Sequence, residues 1–68
     1  MTFTIGCEQE DDGRWIAEVL GFPGVLAYGQ TVEEAIAKVQ ALALRVLAEQ
    51  LEHGERPGTF VNISFAAA

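Results

Sequence analysis

Gly29-Gln30-Thr31-Val32-Glu33-Glu34-Ala35-Ile36 separates two kinds of sequence. Before it, apolar residues alternate with polar ones; after it, they recur every three or four positions. Thr31 followed by Glu34 predicts a capping box, with the Thr31 hydroxyl accepting from the Glu34 amide and the Glu34 carboxylate accepting from the Thr31 amide. Glu33 and Glu34 also place negative charge at the positive end of a helix dipole. Gly29 is read here as backbone freedom for a chain reversal.

Downstream, the spacing predicts a helix from Val32 to about Glu52, with Gly54 as the residue after its C-cap. Most of its residues are Ala, Leu, Glu, Lys, Gln and Arg, all strong helix formers. Val32, Ala35, Ile36, Val39, Leu42, Ala43, Val46 and Leu47 form a stripe suited to packing on a sheet. A second stripe, Ala37, Ala41, Leu44, Ala48 and Leu51, continues around the cylinder. Glu34, Lys38, Arg45, Glu49 and Glu52 share a narrow polar arc. One sheet cannot cover so wide an apolar surface, and leaving Leu44 and Leu51 in water forgoes roughly 1.5–3 kcal/mol each. Leu44, Ala48 and Leu51 are therefore the candidate self-association surface. The alanines alone need no partner, being good surface helix formers.

Upstream, Thr2 to Glu10 reads as a strand with Phe3, Ile5 and Cys7 on one face. Asp11-Asp12-Gly13 reads as a hairpin turn. Arg14 to Leu20 is the return strand, where Trp15, Ala17 and Val19 oppose Arg14, Ile16 and Glu18. Gly21-Phe22-Pro23-Gly24 interrupts the pattern, with Phe22 tucked under the sheet, and Val25 to Tyr28 forms a third strand. Beyond the helix, His53 to Gly58 reads as a loop and Thr59 to Phe65 as a last strand. The Ala66-Ala67-Ala68 tail carries no signal. The expected fold is α+β: one domain over residues 1–68, of order β-β-β-α-β. A three-stranded antiparallel meander gains a fourth strand, parallel to the first through a right-handed crossover. That gives strand order 3-2-1-4, with the helix on one face and the other face bare.

Sixty-eight residues bury only roughly 60% of the surface the unfolded chain exposes, so such domains usually need a disulfide, a metal or a partner. One cysteine excludes an internal disulfide, which leaves oligomerisation as the expected route. Ten acidic against four basic residues give a net charge of −6. That balance disfavours binding to a phosphate backbone and suits a basic protein surface. No stretch approaches the ~20 apolar residues of a membrane span. The N-terminus lacks a basic region followed by an apolar run, so a cytoplasmic location is expected.

Candidate chemistry is sparse. Glu8, Glu10, Asp11 and Asp12 form the densest carboxylate cluster, yet three of them fall at a hairpin tip where solvation is the simplest reading. Contact with a basic partner is the functional one. Trp15 either packs under the helix with Phe3 and Ile5 or, beside Arg14, anchors an interface. His53 has no nucleophile or acid near it in sequence, and Cys7 is read as a small buried hydrophobe. No phosphate loop, zinc spacing or basic-aromatic patch occurs, so no cofactor, metal or catalytic group is assigned.

Asp12-Gly13-Arg14-Trp15-Ile16-Ala17-Glu18-Val19, then Phe22-Pro23-Gly24, then Gly29-Gln30-Thr31-Val32-Glu33-Glu34-Ala35 resembles the HicB antitoxin family. The likeness runs from about Thr4 to Leu51. It implies a partial ribonuclease-H-like fold of β-β-β-α-β order without nuclease activity. It also implies binding and neutralisation of HicA, a small basic toxin that cleaves mRNA, and assembly into dimers or larger oligomers. Two features depart from the family's pattern. Position 25 is Val where Cys is common, and Leu20-Gly21 stands where Pro-Asp is common. Many members also carry a C-terminal DNA-binding domain that has no counterpart in these residues, so operator binding is not expected. The alternative expectation is a stand-alone oligomeric interaction module without a toxin.

Overall fold

A computed structural model describes residues 1–56 and 59–68. Its elements are β1 (Thr2–Gln9), β2 (Trp15–Val19), β3 (Leu26–Gly29), α1 (Val32–Glu52) and β4 (Ser64–Ala67). They form one four-stranded sheet of order β3-β2-β1-β4, with β1 parallel to β4 and the other pairs antiparallel. This is the α+β architecture the sequence predicts.

The β1–β2 hairpin is fixed by its tip. Gly13 adopts φ +91°, its amide donates to the Glu10 carbonyl, and the Glu10 amide donates to the Arg14 carbonyl. The resulting register sets Gln9 opposite Trp15, Cys7 opposite Ala17 and Ile5 opposite Val19. Between β2 and β3, the Val19 amide donates to the Val25 carbonyl, and Val25 is buried just ahead of its strand.

Helix α1 has the predicted bounds. At its start the Glu34 amide donates to the Thr31 hydroxyl at 3.1 Å, so half of the capping box forms. The reciprocal half does not: the Glu34 carboxylate accepts instead from the Lys38 ammonium at 2.9 Å, one turn along. At its end Gly54, at φ +69°, donates to the Leu51 carbonyl, and Glu55 donates to that of Gln50. These two bonds make a Schellman motif.

The helix buries one row completely: Ala35, Val39, Ala43 and Leu47, spaced by four. Three of the four are small, so the helix lies close against the sheet. Gly29 is part of that approach. A Cβ there would sit 2.6 Å from the Ala35 amide nitrogen, and Gly29 does not have a positive φ. Space, rather than a chain reversal, requires the glycine. The core is completed by Ile5, Ala17, Val19 and Val25, with Phe3 stacked 5.9 Å from Phe22 and equally far from Phe65.

Two expectations need correction. The last strand starts at Ser64 instead of Thr59, and it includes Ala66 and Ala67. Its register pairs Thr2 with Ser64 and Ile5 with Ala67, and ahead of it the contact with β1 is reduced to the Met1 amine donating to the Asn62 carbonyl. The loop expected over His53–Gly58 is described as far as Arg56, and Pro57 and Gly58 lie outside the described residues. Cys7 is exposed and not buried. It does share the helix-side face with Phe3 and Ile5, but α1 lies over β2 and β3, and β4 ends opposite Ile5.

Candidate functional site

The expected contact residues divide among three places. Glu10, Asp11 and Asp12 lie at the β1–β2 tip. Asp12 Oδ1 accepts from the Arg14 amide at 3.0 Å and Oδ2 from the Arg14 guanidinium at 2.8 Å. The Arg14 amide, with the guanidinium beside it, holds the Asp12 carboxyl below the usual carboxylate range. Asp12 is thus already engaged within its own turn, whereas Asp11 is exposed. Glu8 lies further down β1, opposite Ile16, on the face away from the helix. Trp15 faces the other way, half-buried against the core. Glu8 and Trp15 therefore belong to opposite sides of the sheet, and no one flat surface contains all five residues.

The helix-free face holds a grouping that the sequence analysis did not single out. Glu8, Ile16 and Tyr28 form one cross-strand row, and Gly6, Glu18 and Leu26 form the next. Leu20 follows, its side chain folded over Gly6, where a Cβ would lie 3.3 Å from Leu20 Cδ2. Leu20, Leu26 and Tyr28, which share this face, are 48%, 39% and 40% exposed. The Arg14 guanidinium lies 4.6 Å from the Tyr28 ring centroid, which ties the hairpin tip to this face. The alternation along β2 contained the signal, because Ile16 and Glu18 point away from Trp15, Ala17 and Val19.

The helix carries the second uncovered surface. Leu44 is 45% exposed, Ala48 is exposed and Leu51 is half-buried. Leu44 and Ala48 continue a row with Ile36 and Gln40, adjacent to the buried row of four. Ile36 and Gln40 also form one wall of a shallow groove whose other wall is Ile5, Cys7, Phe65 and Ala67. No charged residue lines that groove. It opens where α1 leaves β1 and β4 uncovered.

Concave features are small. One, beside Met1, Arg56 and Phe60, measures about 280 Å³ and is open to solvent. Pockets that enclose drug-sized ligands run from roughly 300 to 1,000 Å³. Among the described residues, no three His, Cys, Asp or Glu side chains come together as a metal site, and no helix is long and apolar enough to cross a membrane.

Fold and surfaces together define a two-layer α+β domain with one carboxylate-bearing apolar sheet face and one uncharged apolar flank. Exposed apolar surface of this sort marks interaction sites. Comparison with protein-family models, curated proteins and solved structures gave no match.

Proposed function

We propose that this chain is a non-enzymatic, cytoplasmic antitoxin of HicB type. In this reading it binds a small basic RNA-cleaving toxin of HicA type through protein–protein contact and covers its active surface. One observation carries the reading. The three segments that bear the HicB resemblance fall on β2, the β2–β3 loop and the start of α1, in a fold with the element order that the resemblance implies. The charge of −6 supports it, since complementary potentials speed and orient encounter with a basic protein. Glu8, Glu10, Asp11, Asp12 and Trp15 are the first contact candidates, and Leu44, Ala48 and Leu51 the surface for self-association.

RNA cleavage by a HicA-type toxin tests this reading. Excess antitoxin should suppress cleavage, less so as salt is raised. Undiminished cleavage at a tenfold excess would refute it. A stand-alone oligomeric module is the second reading, favoured by the uncharged groove beside Leu44. It predicts stable assembly together with unaffected cleavage.

A further inference from the structure

The geometry points to the helix-free sheet face, centred on Ile16, Leu26 and Tyr28 and carrying Glu8 and Glu18, as the docking surface for a basic protein with an apolar centre. Of the contact candidates, Glu8 lies on this face, and the hairpin tip adjoins it through Arg14 over Tyr28. This inference rests on the proposed function, whose HicA-type toxin is the basic partner it takes.

Three observations lead to it. The first is apolar area in the wrong place for a solvated sheet. Leu20, Leu26 and Tyr28 are three of the seven large apolar side chains exposed among the described residues, and the half-buried Ile16 joins them. Scattered apolar residues are ordinary on surfaces, but adjacent ones mark contacts.

The second is an unanswered charge. Glu8 and Glu18 project from the same face, and neither forms an ion pair among the described residues. The chain has four cationic side chains in all: Arg14, Lys38, Arg45 and Arg56. Arg14 is paired with Asp12, and Lys38 is paired with Glu34 on the helix. Arg45 is on the helix as well, and Arg56 follows it, donating to Gln50. Among the described residues no cation is paired with Glu8 or Glu18, so both carboxylates are open to Lys or Arg of another molecule.

The third observation weighs against a second copy as that molecule, because the one cation at this face, Arg14 over Tyr28, is already engaged by Asp12. Two such faces brought together would oppose carboxylates with carboxylates, which is unfavourable. The polar arc of α1, where Lys38 and Arg45 lie, also carries Glu34, Glu49 and Glu52 and is itself net negative. A partner with Lys or Arg flanking an apolar patch satisfies both the carboxylates and the apolar centre. The uncharged groove beside Leu44 lies on the opposite side of the sheet, so it stays open when this face is occupied.

Affinity for the HicA-type toxin, measured by calorimetry on the full chain, tests the inference. Three proteins are compared with wild type: Glu8→Gln/Glu18→Gln, Tyr28→Ala, and the helix variant Glu49→Gln/Glu52→Gln, which removes the same charge from the polar arc of α1. All the altered side chains are exposed, and circular dichroism melting checks that each variant stays folded. The sheet-face variants should each weaken binding at least tenfold, and the glutamine pair should flatten its salt dependence. The helix variant should bind within threefold of wild type. Retention of wild-type affinity in both sheet-face variants would overturn the inference and leave the proposed function standing. Absence of binding by wild type would overturn both.

Discussion

Gly29 shows how one hydrogen atom can set the distance between two layers. Its missing Cβ leaves room for the Ala35 amide and the Glu34 backbone, which a methyl group would meet at 2.6 Å and 3.0 Å. Backbone cannot rotate aside as a side chain can, so Gly29→Ala should cost about 1–3 kcal/mol of stability. For a domain this size each kcal/mol lowers Tm by about 4–8 °C. Gly6→Ala, whose new methyl meets only the movable Leu20 side chain, should cost clearly less in the same melting experiment. Two exposed carboxylates add an acid dependence. Asp12 and Glu34 are held below their ordinary values of 3.8 and 4.5, Asp12 chiefly by the Arg14 amide and Glu34 chiefly by the Lys38 ammonium. A group depressed in this way stabilises the fold above its unfolded pKa, and the contribution vanishes as pH falls through the folded value. Asp12→Asn/Glu34→Gln should therefore melt slightly below wild type at pH 6, with the gap closing below about pH 4. A gap that stays constant down to pH 3 would contradict these pairings.

Helix α1 owes its definite ends to two local devices. Removing the Thr31 hydroxyl in Thr31→Ala should cost about 1 kcal/mol, and Thr31→Ser should retain most of it. Gly54→Ala places a Cβ in the left-handed region and should cost about 1–2 kcal/mol. Urea unfolding separates these from a surface effect, since Ala37→Ser, at an exposed helix position, should change stability by less than about 0.5 kcal/mol. Both devices were legible in the sequence because they depend on neighbours within five residues. The hairpin tip and the helix bounds were readable for the same reason. What escaped reading depended on partners far along the chain. The true start of β4 is set by where β1 begins, and the exposure of Cys7 by the lateral position of α1. The role of Gly29 is set by how closely the helix lies, and the Glu34 carboxylate had two acceptable partners of which Lys38 won. The apolar patch of Ile16, Leu26 and Tyr28 was visible only in fragments until register set β3 beside β2.

At the scale of the whole molecule, α1 covers β2 and β3 and leaves one uncharged flank. Self-association through that flank is the proposed remedy for a small core. Leu44→Glu/Leu51→Glu should convert any assembly to monomer in sedimentation velocity at micromolar concentration. Circular dichroism should stay helical, because both positions lie outside the buried row of Ala35, Val39, Ala43 and Leu47. A wild-type protein that sediments only as monomer would remove this part of the proposal. Labelling of the Cys7 thiol offers a second view, since closure of the groove would slow it.

The parallel pairing of β1 with β4 also sets an order of events in folding. Thr2 and Ser64 share a hydrogen bond across 62 positions of sequence, whereas the β1–β2 hairpin, β3 and α1 meet close neighbours. Closing the longer loop costs more chain entropy, so contacts of this kind form late. Until Ser64–Ala67 docks, the outer edge of β1 is an open ladder of amides and carbonyls. A nascent chain spends that interval with the edge available to any other extended segment, its own sisters included. The last strand thus does more than complete a sheet: it covers half of the eight-residue edge of β1 and presents only a four-residue edge in its place.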